Sequence, residues 1–273
     1  MIKFPLLKGV SLQINERYID DFERISLTYK SLDIFETDYA WSPDTDRSIT
    51  PVIRYEWDVL SKNLGEKYIS QANKVLSIGG GGNSPTLKWI SESLEYLCIL
   101  NPSERDLNLY REKTIEDERV LLIRGIGEMI PLADDSFDLV EIPATLDHCM
   151  DHKKVLDECY RVLRIGGRIA LTGGNARSWY RDLVSKLGLT FLDAHQHHHT
   201  IDLDPSSIKN LLTSTGFSDV EISTNYFLKL PKFIERLLNS EKKLSIYGIF
   251  SNVLMPKLVG ELRGGMLLAG ARK

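Results

Sequence analysis

V75-L-S-I-G-G-G-G-N-S-P85 decides how this chain is read. Residues 75–78 make a short apolar run, four glycines follow, and Pro85 behind Asn83 or Ser84 marks the first turn of a helix. Proline fits there because its missing N–H would have no helical partner anyway. A strand that runs into consecutive glycines and then a helix lets backbone N–H groups approach a ligand closely. Such turns serve enzymes of several cofactor classes, while others only pack a helix on a strand, so the stretch is decisive only with its surroundings.

Downstream, apolar runs at 96–100, 120–123, 137–142 and 168–172 alternate with helical patterns. Ser103 with Asp106 three residues on reads as a helix start, and residues 153–163 as a helix. Residues 208–214 read as helical, 220–223 as a strand, and 265–271 as a closing apolar strand. This alternation predicts an α/β fold with a mostly parallel sheet covered by helices on both faces. Upstream, residues 1–70 read as an N-terminal helical cap. Tyr18, Phe22, Ile25, Tyr29 and Leu32 keep helical spacing, and a polar loop over 38–48 follows. Thr50 and Pro51 then open a second helix with Ile53, Trp57 and Leu60 on one face and Gly65 as its stop.

Composition agrees with an ordinary globular protein: 273 residues, 42% hydrophobic, 26% charged, net charge −4. The acidic balance argues weakly against nucleic acid as a partner. Cys98, Cys149 and Cys159 are scattered and odd in number, which points to reduced thiols in a cytoplasmic protein. Lys8 interrupts the apolar start, against a signal peptide, and no stretch reaches the length of a membrane span.

Three further segments give the glycine turn its context. R124-G-I-G-E-M-I-P-L-A-D-D-S-F-D-L-V140 resembles the passage that links the third and fourth strands of class I S-adenosylmethionine-dependent methyltransferases of the type 11 kind. E158-C-Y-R-V-L-R-I-G-G-R168 resembles their turn into the fifth strand, and G264-G-M-L-L-A-G-A-R-K273 their last strand. The resemblance runs from about Val75 to Lys273 with the motifs in order. It implies a Rossmann-like, doubly wound sheet of seven strands, the last antiparallel, over residues 71–273. It also implies S-adenosyl-L-methionine as cofactor and methyl transfer to a small-molecule acceptor. On the residues that match, the donor site would comprise Gly79, Gly80, Gly81, Asn83, Asn101, Ile126, Gly127, Glu128 and Ile142.

A nicotinamide dehydrogenase is the competitor. Its G-x-G-x-x-G would fall on Gly79, Gly81 and Ser84, so the helix-packing glycine is missing, and the acid expected about 20 residues on is Asn101. The same neutral residue departs from the methyltransferase pattern, as do Ser77 and Ile126, which stand where that family places acids. A charged acceptor makes a hydrogen bond of roughly 1.5–3 kcal/mol against about 1 for a neutral one. Three readings therefore remain: ordinary transfer with weaker donor binding, a modified adenosyl donor, or a degenerate donor-binding protein. On the first, Asn101→Asp is expected to tighten donor binding. Glu128 is the surviving acid near the adenine position, balanced against a plain exposed loop carboxylate.

For chemistry, T145-L-D-H-C-M-D-H152 follows the fourth strand, where donor and acceptor would meet. His148 is a candidate general base with Asp147 beside it, although a packing role ranks ahead. His195, His197 and His199 alternate, yet no cysteine or paired acid accompanies them, so a loop near the site is preferred to a metal and no metal is expected. Tyr39 and Trp41 in the cap read as packing before acceptor cover. Residues 227–258 form a helical insertion with apolar stripes and six Lys or Arg against Glu235 and Glu241. Ordinary packing with a solvated basic face ranks ahead of an anionic acceptor or peripheral membrane contact. The oligomeric state is not legible.

Overall fold

A computed structural model describes residues 49–81, 85–89, 92–114, 117–187 and 203–273. The helix expected through Tyr18 and Leu32, the aromatics Tyr39 and Trp41, Asn83, and the histidines at 195, 197 and 199 lie outside the described residues.

Seven strands form one sheet: β1 (Lys74–Ile78), β2 (Tyr96–Asn101), β3 (Val120–Arg124), β4 (Phe137–Pro143), β5 (Leu163–Gly174), β6 (Ser218–Asn225) and β7 (Met266–Arg272). Their order is β3-β2-β1-β4-β5-β7-β6, and β7 runs antiparallel to both its neighbours. The expected seven-stranded, doubly wound sheet with an antiparallel last strand is therefore the observed one. All six residues of β2 are buried, the continuous apolar run required of a parallel strand covered on both faces. In β1 the two-residue period divides the core. Leu76 and Ile78 join Val155, Leu156, Ile208 and Leu212 on one side, while Val75 joins Leu64, Tyr68, Ile69 and Tyr110 on the other.

Helices α1 (Pro51–Lys67) and α2 (Glu104–Thr114) supply the second set, and α3 (His152–Val162) and α5 (Pro205–Thr215) the first; α4 (Trp179–Lys186) follows β5. Thr50 caps α1 by accepting from Ile53 N at 3.1 Å, and Asp204 caps α5 in a box with Ser207. Gly65 does not stop α1. It lies inside the helix because a Cβ there would collide with the Trp89 indole, so it is a packing glycine. The α-helix expected after the glycine turn is likewise replaced, among the described residues, by a single 3₁₀ turn at Pro85–Lys88. Leu64 from α1, with Tyr68 and Ile69 just beyond its end, packs over that face of the sheet beside Leu87 and Trp89.

Between β6 and β7 the insertion forms α6 (Lys232–Leu237), α7 (Glu241–Ile249), a π-helical turn (Phe250–Leu254) and α8 (Met255–Val259). Two buried carboxylates fasten it to α1. Glu56 accepts from Asn225 Nδ2 at 2.8 Å, Ser251 Oγ at 2.9 Å, Asn252 Nδ2 at 2.9 Å and Tyr226 N at 3.1 Å. Glu235 accepts from Thr50 Oγ1 at 2.6 Å and from the Tyr226 hydroxyl at 3.0 Å. Among the described residues no helix is long and apolar enough to cross a membrane. All three cysteines are free and buried.

Candidate functional site

The sheet order reverses direction between β1 and β4, and a crevice of this kind at the carboxyl ends of the strands is where open α/β folds hold ligands. The glycine turn closes β1 at that point. Gly79, Gly80 and Gly81 have φ of 76°, 78° and 56°, a left-handed run that only glycine adopts cheaply. Gly79 donates its N–H to Leu100 O at 2.8 Å, and Gly80 donates to Thr145 Oγ1 at 3.0 Å. Thr145 also fills the space where a Gly79 Cβ would stand. These two glycines shape the turn with amides already committed to protein acceptors. Gly81 differs, since a Cβ there would meet nothing within 4 Å among the described residues. No described side chain covers that position of the turn.

Asn101 ends β2 beside this turn and is 3% exposed. Its Oδ1 accepts from Ser103 N at 2.8 Å, and its Nδ2 donates to Gly79 O at 3.4 Å and points to Asp106 Oδ2 at 3.5 Å. The amide thus staples the glycine turn to the start of α2. The nearby acid is Asp106, in the first turn of α2 with its own N–H on Ser103 Oγ at 3.2 Å. Burial pushes its carboxyl above the usual aspartate range, against the opposing effects of Asn101 and Arg105. In the sequence S103-x-x-D106 reads as a capping pattern, and only the fold shows that α2 brings that side chain to Asn101.

Ser77 has a similar companion. It is paired in register with Glu141 of β4 and donates Oγ to Glu141 Oε1 at 2.7 Å, both residues being fully buried. A carboxylate thus lies beside Ser77, brought there by the adjacent strand β4. Its only trace in sequence is one glutamate inside the apolar run F137-D-L-V-E-I142.

Glu128 is 3% exposed, not a solvated loop carboxylate. Its Oε1 accepts from Met150 N at 2.9 Å and Asp151 N at 3.4 Å, immediately before α3. A carboxylate there complements the positive end of the helix dipole. Ile126 is buried and bridges to Met129, while a Cβ on Gly127 would lie 3.1 Å from Val155 and 3.4 Å from Ile78. Ile142 is fully buried in the core and has no side-chain surface to offer a ligand.

His148 ends the 3₁₀ turn Leu146–His148 beyond β4, with Nε2 4.0 Å from Asp147 Oδ1. Its side chain is 35% exposed against 7% for Asp147, so an accessible imidazole stands over a buried acid. Ala144 just before it has φ of 43°, an unusual backbone state for a residue with a Cβ, at the strand end nearest Gly79. Burial is the main cause that lowers the His152 imidazole and raises the Cys149 thiol well above its ordinary value. Neither supplies a ready charged group near this turn. Among the described residues no cluster of His, Cys, Asp and Glu could hold a metal ion.

A family model described as a methyltransferase domain matches residues 76–171. A demethylmenaquinone methyltransferase of Clavibacter sepedonicus is 29% identical over 153 residues, 55% of this chain and 55% of the relative. Another, from Listeria monocytogenes, is 42% identical over 125 residues, 41% of this chain and 53% of its own length. The chain thus spans about half the length of these relatives. The crystal structure of an S-adenosylmethionine-dependent methyltransferase from Mesorhizobium loti superposes with a TM-score of 0.53 at 18% identity, over 85% of this chain and all of that one. At that identity the superposition speaks for the fold.

Proposed function

We propose that this chain, whose residues 76–171 match a methyltransferase domain, is a class I S-adenosylmethionine-dependent methyltransferase that transfers a methyl group from S-adenosyl-L-methionine to a small-molecule acceptor. The observation that carries this reading is the glycine turn at the end of β1, uncovered at Gly81 among the described residues, with the Asp106 carboxylate joined to it through Asn101 and Gly79 O. The residues fit an adenosyl donor. Gly81 gives its amino-acid end a backbone free of side chain, and Asp106 offers charge-assisted acceptors for ribose hydroxyls. The reading of a degenerate site rests on neutral Ser77, Asn101 and Ile126, and the carboxylates of Glu141 and Asp106 beside the first two speak against it.

When bound, the donor supplies an electrophilic methyl on a sulfonium. The protein's part is mainly to hold the acceptor in line with it, where proximity provides much of the rate. His148 is the group that takes a proton from a hydroxyl or ammonium acceptor, and buried Asp147 stabilises the imidazolium that results. Demethylmenaquinone, named for two of the relatives, is the acceptor to try first. The test is release of S-adenosylhomocysteine on incubation with S-adenosylmethionine and acceptor. His148→Ala should lower kcat by about a hundredfold, the usual reach of a general base, with donor affinity unchanged. Equal turnover by the variant would remove His148 from the chemistry.

A further inference from the structure

We propose that the outward face of the helical insertion is a docking surface for an anionic phospholipid bilayer. Eight of the thirteen exposed large apolar side chains among the described residues lie in 227–258. Scattered exposed apolar residues are ordinary, whereas a concentrated patch marks a surface that meets another phase. Ile246, Ile249, Phe250, Val253, Leu254 and Leu258 recur at helical spacing from α7 through the π turn into α8, and each is at least 40% exposed. From Ile246 to Leu258 that stripe is about 18 Å long at the α-helical rise. Phe233 and Leu237, one turn apart on α6, add to it at 67% and 64% exposure.

The opposite face explains the orientation. Tyr247, Gly248 and Ser251 are the buried residues of α7 and the π turn. The Ser251 hydroxyl donates to Glu56, the Tyr247 hydroxyl donates to Leu228 O at 2.7 Å, and a Cβ on Gly248 would collide with Tyr55. The helix is thus seated by polar and small groups, and its apolar side faces outward. Turning it over would break the Glu56 network, so the exposure is built into the packing.

Charge selects the occupant. Lys242 and Lys243 precede the stripe and Lys257 lies within its last turn, with Lys232 and Arg236 exposed on α6. Glu241 is the exposed acid of these helices, since Glu235 is buried. An apolar stripe edged by cations is the make-up of a helix that lies in the interface of an anionic bilayer. A second copy of the chain would bring like charges together, which costs affinity. The insertion also joins the end of β6 to the start of β7, where Met266 pairs with Gly174 at the carboxyl end of β5. It therefore stands on the same edge of the sheet as the glycine turn, so a docked membrane would face the edge that carries the candidate site.

The test is co-sedimentation of the full chain with phosphatidylcholine vesicles, with and without phosphatidylglycerol. It does not depend on the proposed reaction. Binding is expected to the anionic vesicles alone and should be released by rising salt. Lys242→Gln with Lys257→Gln should weaken it by about thirtyfold, at roughly a kilocalorie per basic side chain. Phe250→Ser with Leu254→Ser should weaken it by roughly tenfold or more, and circular dichroism should show both variants folded, since all four side chains are exposed. Absence of wild-type binding, equal binding to both vesicles, or binding that survives both double variants would overturn the proposal. So would a concentration-dependent dimer that Phe250→Ser with Leu254→Ser makes monomeric while vesicles bind nothing.

Discussion

Asn101 and Asp106 share one small volume, and a second carboxylate there changes the expected sign of a substitution. Read from the sequence, Asn101→Asp restores a missing acid and tightens donor binding. In the structure it would place two carboxylates about 3.5 Å apart and remove the N–H donated to Gly79 O. Like charges so close cannot both ionise readily. The variant should therefore bind S-adenosylhomocysteine about threefold to thirtyfold more weakly than wild type, roughly 0.7–2 kcal/mol, by calorimetry. Tighter binding would show that Asn101 itself faces the ribose. The structure separates Gly81 from the two glycines before it, whose amides are held by Leu100 and Thr145. Gly81→Ala adds a Cβ that meets nothing among the described residues, at a left-handed φ and a backbone cost of about 1 kcal/mol. It should keep the fold while donor affinity falls by at least about tenfold; unchanged affinity would move the donor away from the turn. The glycines were legible because their conformation is forced by local chemistry. Asp106 and Glu141 were not, because what matters is which neighbour a helix or an adjacent strand brings to them.

At the scale of elements, the strands from 75 onward could be read because a parallel strand buried on both faces must be apolar throughout, as YLCILN is. Gly65 misled, since a glycine inside a helix looks like a stop until the Trp89 ring that occupies its missing side chain is seen. The insertion misled differently. Its apolar residues are arranged as if to pack, yet Ser251, Asn252 and Asn225 meet Glu56 on the inner side. Removing that acceptor should loosen the whole insertion. Glu56→Ala leaves several buried donors facing a void, and the folded state should lose about 3 kcal/mol. Denaturant unfolding checks this, and a loss within experimental error would show that the latch does not hold α1 to the insertion. Hydrogen exchange should quicken over α7 and the π turn before it quickens in β1 or β2.

For the whole molecule, strand order and the reversal between β1 and β4 explain why residues distant in sequence converge. Gly81 from β1's turn, Asp106 from α2 and His148 from the loop after β4 come from three segments that end on one edge of one sheet. The same topology makes the account testable through protonation. Asp106 must be a carboxylate to accept from ribose hydroxyls, and burial raises its pKa, so acidification protonates it above the ordinary aspartate value of about 3.9. Donor affinity should fall as pH falls through that raised pKa, and the variant Asp106→Asn should lack this acid limb. The most direct measurement is calorimetric titration of S-adenosylhomocysteine into the folded wild-type chain and into Asp106→Asn, at neutral and at acidic pH. The account predicts binding by wild type at neutral pH, weakened about fivefold to thirtyfold by Asp106→Asn, with the two proteins converging as the pH is lowered. No binding by wild type, or an affinity and pH dependence that Asp106→Asn leaves unchanged, would contradict it.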